Sequence, residues 1–386
     1  MSLRKSQPEL NRSKKGNKNE ENSKSNIDKL VEEVEEAVEN PEPRQKSEIS
    51  IYSSDDLVPT GSTLLNLALS DNPYGGYRLG TMVNIIGGPS SGKSLMALTM
   101  YAEITNDKRF NNYELIYDET EAAMFFDLSA FGENINKVRF DLRSRTIQDW
   151  SENLMGLFNL GKKDKRKKDL DIQPIIHVTD SFDALSTDSD LEDTRPSKGG
   201  YRTEKPIVSS VTFPKLCQAV EASRSLLFII SQTRSSLAMF GNPESRSGGK
   251  ALDFYESHEI WLRKSTPIKQ TVKRSGKDVV VGNSIVLDVK KNKLVGKRRS
   301  VEIDVLDQYG IDDIGSCINW LNKYGFWGID KKVIDPCGDL DLPKAKIKEL
   351  VKIIEEQNME SDFRKIIAEC WYEVEEELKP NRKKRY

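Results

Sequence analysis

The sequence predicts an α/β fold: a mostly parallel central sheet covered by helices, with a short N-terminal helix and a small helical C-terminal region. Three observations predict it. From about residue 50 to 310, short apolar runs alternate with amphipathic stretches, the pattern of buried strands joined by covering helices. One run leads directly into Gly87-Gly-Pro-Ser-Ser-Gly-Lys-Ser94 and then an apolar helical stretch, the strand–loop–helix setting of a phosphate-binding loop. Outside that span the chain turns polar and its periodicity turns helical.

Taken in order, residues 1–25 carry almost no apolar side chains and many Lys, Asn, Ser and Glu. Such a segment cannot bury enough surface to offset its ordering entropy, so a disordered, solvated tail is expected. In the next segment, 26–49, Ile27, Leu30, Val31, Val34 and Val38 share one face of a helix over 26–39. A helix this short is marginal alone, so it is expected to dock on its own core or on a neighbouring subunit. Pro41 and Pro43 mark a linker. The core, 50–328, is read from the runs Met82–Ile86, Leu115–Tyr117, Ile175–Thr179, Leu226–Ile230, Ile260–Leu262, Ile285–Val289 and Val301–Val305. The last of these lack long helices between them, so that edge is expected to be antiparallel. The basic run 162–168 reads as a solvated loop. A C-terminal region, 329–386, shows two helices beginning near Pro343 and Ser361 and ends in a basic tail. No internal repeat is found.

Composition narrows the function. The 386 residues suit two or three domains at roughly 100–200 residues each. Lys and Arg total 59 against 61 Asp and Glu, a formal charge of −2, so a uniformly basic nucleic-acid binder is excluded while a local basic surface is not. No apolar run is long enough to span a bilayer, and the N-terminus lacks the apolar region of a secretory signal. The cysteines, Cys217, Cys317, Cys337 and Cys370, form no C-x-x-C pair. A reduced, cytoplasmic protein without a disulfide framework or a membrane partner is expected.

The loop carries the chemistry. In Gly87, Gly88, Pro89, Ser90, Ser91, Gly92, Lys93 and Ser94, the glycines let backbone N–H groups turn toward phosphate oxygens. The following helix N-terminus adds partial positive charge. Lys93 would reach the β- and γ-phosphates, and Ser94 would supply a hydroxyl to Mg²⁺. Asp180 ends the run starting at Ile175 and is placed to hold the magnesium shell. Ser181 either shares that water network or caps a turn. Asp118, Glu119 and Glu121 are the candidates to orient an attacking water. Gln232 ends the strand from Leu226 and either senses the γ-phosphate or caps the strand. His177 reads as a core residue. Phe125 and Phe126 stay open between adenine packing and core. Lys297, Arg298 and Arg299 stay open between a DNA-facing cluster and a solvated hairpin.

These residues, with others in the same order, resemble the RecA family of recombinases. Leu57–Leu69 is similar to the family's segment ahead of the loop, and Val178–Leu185 to its Walker B strand. Met239-Phe-Gly-Asn-Pro-Glu244 and Gly248–Tyr255 resemble its second DNA-binding loop and the segment beyond. Val289-Lys-Lys-Asn-Lys293 resembles its Lys-Asn-Lys strand end. The matches span about residues 50–328. Departures are a second loop one residue shorter, Lys250 in place of Asn, and a basic rather than acidic C-terminus. They fit a divergent member; a phage or mobile-element origin stays open.

The resemblance implies a RecA-like P-loop ATPase core and a role for each matched position. Glu121 would be the water-activating carboxylate, with Glu119 the alternative. Gln232 would link the γ-phosphate to the loop at 233–249. Lys291 and Lys293 would reach the γ-phosphate of a neighbouring subunit. DNA would be held by two loops, 187–207 with Lys198 and Arg202, and 233–249 with Arg234, Met239, Phe240, Arg246, Gly248 and Gly249. ATP and Mg²⁺ are the implied cofactors. Single- and double-stranded DNA, further copies of the chain in an open helical filament, and single-strand-binding or loading proteins are the implied partners. The implied activity is DNA-dependent ATP hydrolysis driving pairing and strand exchange. A recombination mediator without strand exchange, and a closed-ring ATPase of the KaiC or helicase type, are the alternatives.

Overall fold

The computed structural model describes residues 53–121, 127–158, 160, 173–192, 204–235, 244–246, 251–307 and 309–383. The polar tail, the helix expected over 26–39, Phe125, Phe126, the basic run 162–168 and the last three residues lie outside the described residues.

The described chain opens with an antiparallel ladder, β1 (Leu57–Val58) on β2 (Tyr77–Arg78). Between them lies α1 (Thr63–Ser70), all of whose residues are buried. Its sequence is apolar nearly all round, as an enclosed helix requires. The Ser62 side chain accepts the Leu65 N–H at 3.4 Å at its start. Asp71, left-handed at φ 58°, ends it.

The core follows as β3 (Thr81–Gly87), α2 (Lys93–Asn106), β4 (Glu114–Glu119), α3 (Ile147–Leu157), β5 (Ile175–Asp180), α4 (Asp188–Glu192), α5 (Glu204–Ala222), β6 (Leu226–Ser235), β7 (Glu244–Arg246) and α6 (Ala251–Tyr255). A long hairpin comes next, β8 (His258–Thr271) and β9 (Asp278–Asn292), then β10 (Arg299–Leu306) and β11 (Gly310–Asp312). Among the described residues, nine strands form one sheet in the order β11-β10-β9-β8-β3-β6-β5-β4, with β7 on β6. Strands β8, β3, β6, β5 and β4 are mutually parallel. The β8-β9-β10-β11 edge is antiparallel, as the missing crossover helices predict.

Alternation along the parallel strands divides the core. Val83, Ile85, Leu115, Tyr117, Ile176, Val178, Phe228 and Ile230 face one apolar cluster, shared with α1 and α2. Met82, Ile116, Ile175, Leu227 and Ile229 face the other, under α3 and α5. With both faces covered, each strand reads as a continuous apolar run. The sequence underestimates β8 and β9, because beyond Lys264 the hairpin is largely exposed and mixes polar residues with exposed valines such as Val279 and Val280, so the apolar runs that mark buried strands cover only its inner end.

The chain continues through α7 (Asp313–Lys323), a small ladder of β12 (Gly328–Asp330) on β13 (Val333–Asp335), then α8 (Ile347–Glu356) and α9 (Glu360–Glu377). Leu350, Ile354, Phe363, Ile367 and Trp371 join the same cluster as Val83. The reading of the Lys297–Arg299 cluster as DNA-facing or solvated is corrected for Arg299, while Lys297 and Arg298 are exposed. The Arg299 side chain is only 7% exposed, with Nη2 2.5 Å from Asp71 and Nε 2.8 Å from Glu375. Its guanidinium lies 5.2 Å from the Trp371 ring centre. Lys297 pairs with Glu375 at 2.5 Å. Both cations therefore fasten α9 to the end of α1.

Candidate functional site

The loop after β3 is shaped to receive an anion. A Cβ on Gly87 would lie 2.4 Å from Ser91 Oγ and 2.8 Å from the Leu262 carbonyl oxygen, so only glycine lets the loop fold back here. Gly92 takes φ +98° and starts α2 without any side-chain cap. The first N–H groups of α2 are left facing the loop. Ser91 Oγ is buried without a hydrogen-bond partner among the described residues. The Lys93 ammonium rests on the Gly88 carbonyl at 2.7 Å. Burial lowers its pKa, opposed in part by Asp180, Glu121 and Asp183. A cation kept among uncapped amides, beside an orphaned hydroxyl, fits a phosphate group.

The residues expected to hold magnesium also meet. Ser94 Oγ donates to Asp180 Oδ2 at 2.5 Å, and so does Tyr117 OH at 2.5 Å. Burial raises the pKa of Asp180, while the two hydroxyl donors lower it. A hard carboxylate and a hydroxyl at the mouth of a phosphate loop are a donor pair suited to Mg²⁺.

The three candidate acids separate cleanly. Asp118 is fully buried and accepts from Ser144 N at 2.8 Å and Ser144 Oγ at 2.6 Å, so it is a structural group. Glu119 is 4% exposed within β4. Glu121 is exposed, and its Oε1 accepts from Ser181 Oγ and, at 2.6 Å, from Gln232 Nε2. Gln232 Nε2 also lies 3.3 Å from Ser181 Oγ, and its backbone N–H donates to Asp183 Oδ2 at 2.6 Å. Ser181 thus belongs to the polar network, and Gln232 does not end its strand as the sequence suggested: it lies three residues inside β6, which runs on to Ser235, and is tied to the acid. Glu121, Ser181, Gln232, Asp180, Ser94 and Lys93 are brought together on the carboxyl side of β3, β4, β5 and β6, where open α/β sheets bind ligands.

Sequence reasoning missed Tyr117 and Asp183. Tyr117 was absorbed into an apolar run, and its partner Asp180 lies on the adjacent strand. That pairing needs the register, which one sequence does not display. It also missed the wall of the cleft. Beside the loop opens a cavity of about 810 Å³, lined by Lys93, Phe131, Ile285 and Tyr309 among others. That size accommodates a nucleotide-sized ligand.

Lys291 and Lys293 lie elsewhere. On β8, Leu262 stands opposite both Gly87 of β3 and Leu287 of β9. Lys291 and Lys293 follow Leu287, roughly 13 and 20 Å away along the strand direction at ~3.3 Å per residue. Lys291 donates to the Asp253 carbonyl oxygen, and Lys293 to that of Phe254 at 2.9 Å. Both therefore sit on the C-terminal carbonyls of α6, where cations are favoured. Burial lowers the pKa of Lys291, against the pull of Glu256. Neither lysine belongs to the cleft of its own chain.

Of the expected DNA contacts, Lys198, Arg202, Met239, Phe240, Gly248 and Gly249 lie outside the described residues. Arg234 and Arg246 are placed by their backbones alone, in the β6–β7 pairing that joins Thr233–Ser235 to Glu244–Arg246. This pairing starts one residue beyond Gln232. The other loop leaves from α4 and returns at α5, whose Lys205 ammonium donates to the Phe182 and Leu185 carbonyl oxygens at 2.7 and 3.0 Å.

Among the described residues no helix is long and apolar enough to cross a membrane. Comparison with known proteins agrees with this geometry. Residues 166–312 match the family described as the RecA N-terminal domain. The chain is 30% identical over 278 residues to Protein RecA of Bacillus subtilis (strain 168), covering 70% of this chain and 72% of that protein. It is 29% identical over 280 residues to Protein RecA of Bacteroides thetaiotaomicron, covering 70% and 77%.

Proposed function

Because the chain belongs to the RecA family, we propose that it is an ATP-dependent DNA recombinase. It binds single-stranded DNA with ATP, assembles head to tail into an open helical filament, pairs that strand with homologous duplex and exchanges strands. The observation that carries this reading is the 2.6 Å bond between Gln232 and Glu121. The amide that holds the candidate catalytic carboxylate stands one residue before the segment assigned to DNA. DNA binding and hydrolysis then share one strand.

The chain's own residues divide the work. Gly87–Gly92 and the start of α2 enclose the triphosphate, and Lys93 neutralises it. Ser94 and Asp180 hold Mg²⁺, with Tyr117 fixing the Asp180 carboxylate. The ion supplies positive charge against the phosphate oxygens. Glu121 orients the attacking water and takes its proton. Gln232 couples Glu121 to the 233–249 segment. Lys291 and Lys293, remote from their own cleft, supply charge to a neighbour's site. Hydrolysis is thereby confined to subunit interfaces, and turnover loosens them. Lys198, Arg202, Arg234 and Arg246 neutralise DNA phosphates. Met239 and Phe240 wedge between bases, and Gly248 and Gly249 let the backbone approach the strand. The protein acts in the cytoplasm, with single-strand-binding or loading proteins as further partners.

The test is ATP turnover with and without single-stranded DNA. Lys93→Ala is expected to abolish turnover in both conditions. Lys291→Ala with Lys293→Ala is expected to cut the DNA-stimulated rate by about 100-fold or more, the scale of losing a preorganised transition-state charge. Turnover that ignores DNA and survives the double substitution would overturn the reading.

A further inference from the structure

Outside the nucleotide cleft, three buried polar side chains form one connected line across the sheet. Glu256, in the turn between α6 and β8, is fully buried. Its Oε2 accepts from Asn84 Nδ2 at 3.0 Å. Asn84, on β3 and also fully buried, accepts from Ser231 Oγ at 2.8 Å through its own Oδ1. Ser231 is buried on β6 and immediately precedes Gln232. At the far end, Glu256 Oε1 lies 3.9 Å from Lys291 Nζ.

The chemistry of this line has one polarity. A carboxylate only accepts, so Asn84 must present its NH₂ to Glu256 and its carbonyl oxygen to Ser231. Ser231 must then donate its proton to Asn84. No member is free to turn without leaving a buried group unpaired, at about 1–3 kcal/mol each. A buried carboxylate beside a cation is weak evidence for stability, since apolar side chains of similar volume often serve as well. Its position is what gives it meaning. It joins the lysine that we assign to a neighbour's site with the strand whose Gln232 we assign to the chain's own nucleotide.

We propose that Glu256 is a positioning residue for Lys291, and that Asn84 and Ser231 tie it to the Gln232 strand. The inference rests on the assignment of Lys291 to a neighbouring subunit's site. Each subunit then presents its lysine in register with the state of its own cleft. Successive ATP sites are linked through the sheet as well as through the interface.

Glu256→Gln tests this, because the amide can still accept from Asn84 while the charge facing Lys291 is gone. DNA-independent turnover and ATP affinity are expected to stay within about twofold, and DNA-stimulated kcat to fall about tenfold, a size found for residues that connect sites. In a Lys291→Ala background the same substitution is expected to do nothing further. That loss of additivity marks a residue acting through Lys291. Ser231→Ala is a second variant, expected to give a smaller loss that also vanishes with Lys291→Ala. It carries the test should Glu256→Gln fail to fold. Wild-type kcat in the variants, or losses that multiply with that of Lys291→Ala, would overturn the inference and leave the proposed function standing. A Lys291→Ala protein with full DNA-stimulated turnover would overturn the interface lysine, and this inference with it.

Discussion

At the scale of single residues, the site separates acids that look alike in sequence. Asp118, Glu119 and Glu121 stand within four positions, yet only Glu121 bonds to Gln232 and Ser181. Asp118 spends both its oxygens on Ser144. Glu121→Gln keeps the shape of the side chain and removes its capacity to take a proton. It is expected to lower kcat by about 100-fold or more, the contribution typical of a general base. Nucleotide binding measured by equilibrium titration should be retained. Asp118→Asn is expected to act on stability instead, costing about 1–3 kcal/mol, because a hydrogen bond to a buried charge is weakened. A urea titration separates the two effects. An Asp118→Asn protein of full stability without turnover would reverse the assignment. Tyr117 shows why the site was only partly legible. Its role depends on a hydroxyl meeting Asp180 across the β4–β5 register, and a linear apolar run conceals that. The loop itself was legible because its function is written in consecutive residues.

At the scale of elements, strands announced themselves where both faces are buried and fell silent where they are exposed. Leu226–Ile230 is apolar throughout, and Met82–Ile86 apolar but for the hydrogen-bonded Asn84, because α-helices cover them on both sides. The outer half of the β8–β9 hairpin carries Lys269, Gln270 and Lys273, whose polarity reads as loop. The same limit concealed Arg299. A basic triplet after a turn looks solvated, but α9 brings Glu375 and Trp371 to it from over seventy positions away. That contact makes a stability prediction. Arg299→Ala removes one partner from two carboxylates and from a ring face, so α9 should loosen from α1. Because Asp71 is 31% exposed and Glu375 17%, the loss is expected near the lower end for buried pairs, about 3 kcal/mol. Chemical denaturation measures it. An unchanged midpoint would mean the apolar contacts of α9 alone hold the C-terminal helices.

At the scale of the whole molecule, the two histidines tie stability to pH. His177 and His258 are fully buried in the central sheet, one on β5 and one on β8. Neither ring has a hydrogen-bond partner among the described residues. Burial lowers their pKa values from 6.5, to about 4 for His177, where Asp118 opposes the shift, and to about 3 for His258. Above pH 6.5 both rings are neutral in either state, and their contribution to the pH dependence is nil. As pH falls below 6.5, the unfolded chain takes up protons that the folded chain refuses, so stability falls. The fall continues until the folded rings protonate near pH 4 and 3, and amounts to on the order of 3 kcal/mol for His177 and on the order of 5 kcal/mol for His258. Four half-buried carboxyls work the other way. Glu103, Asp180, Asp312 and Asp313 have raised pKa values, each chiefly from burial. They protonate in the folded state first and recover stability as pH drops toward 4. The histidine effect is therefore read as a difference. His177→Leu and His258→Leu sacrifice no hydrogen bond, so each should flatten the decline in urea midpoint between pH 7 and 5 relative to the parent protein. Together they should remove most of it. If the substituted proteins keep the parental slope, buried imidazoles do not set the acid limit of this fold, and the weakening must come from charge repulsion over the surface instead.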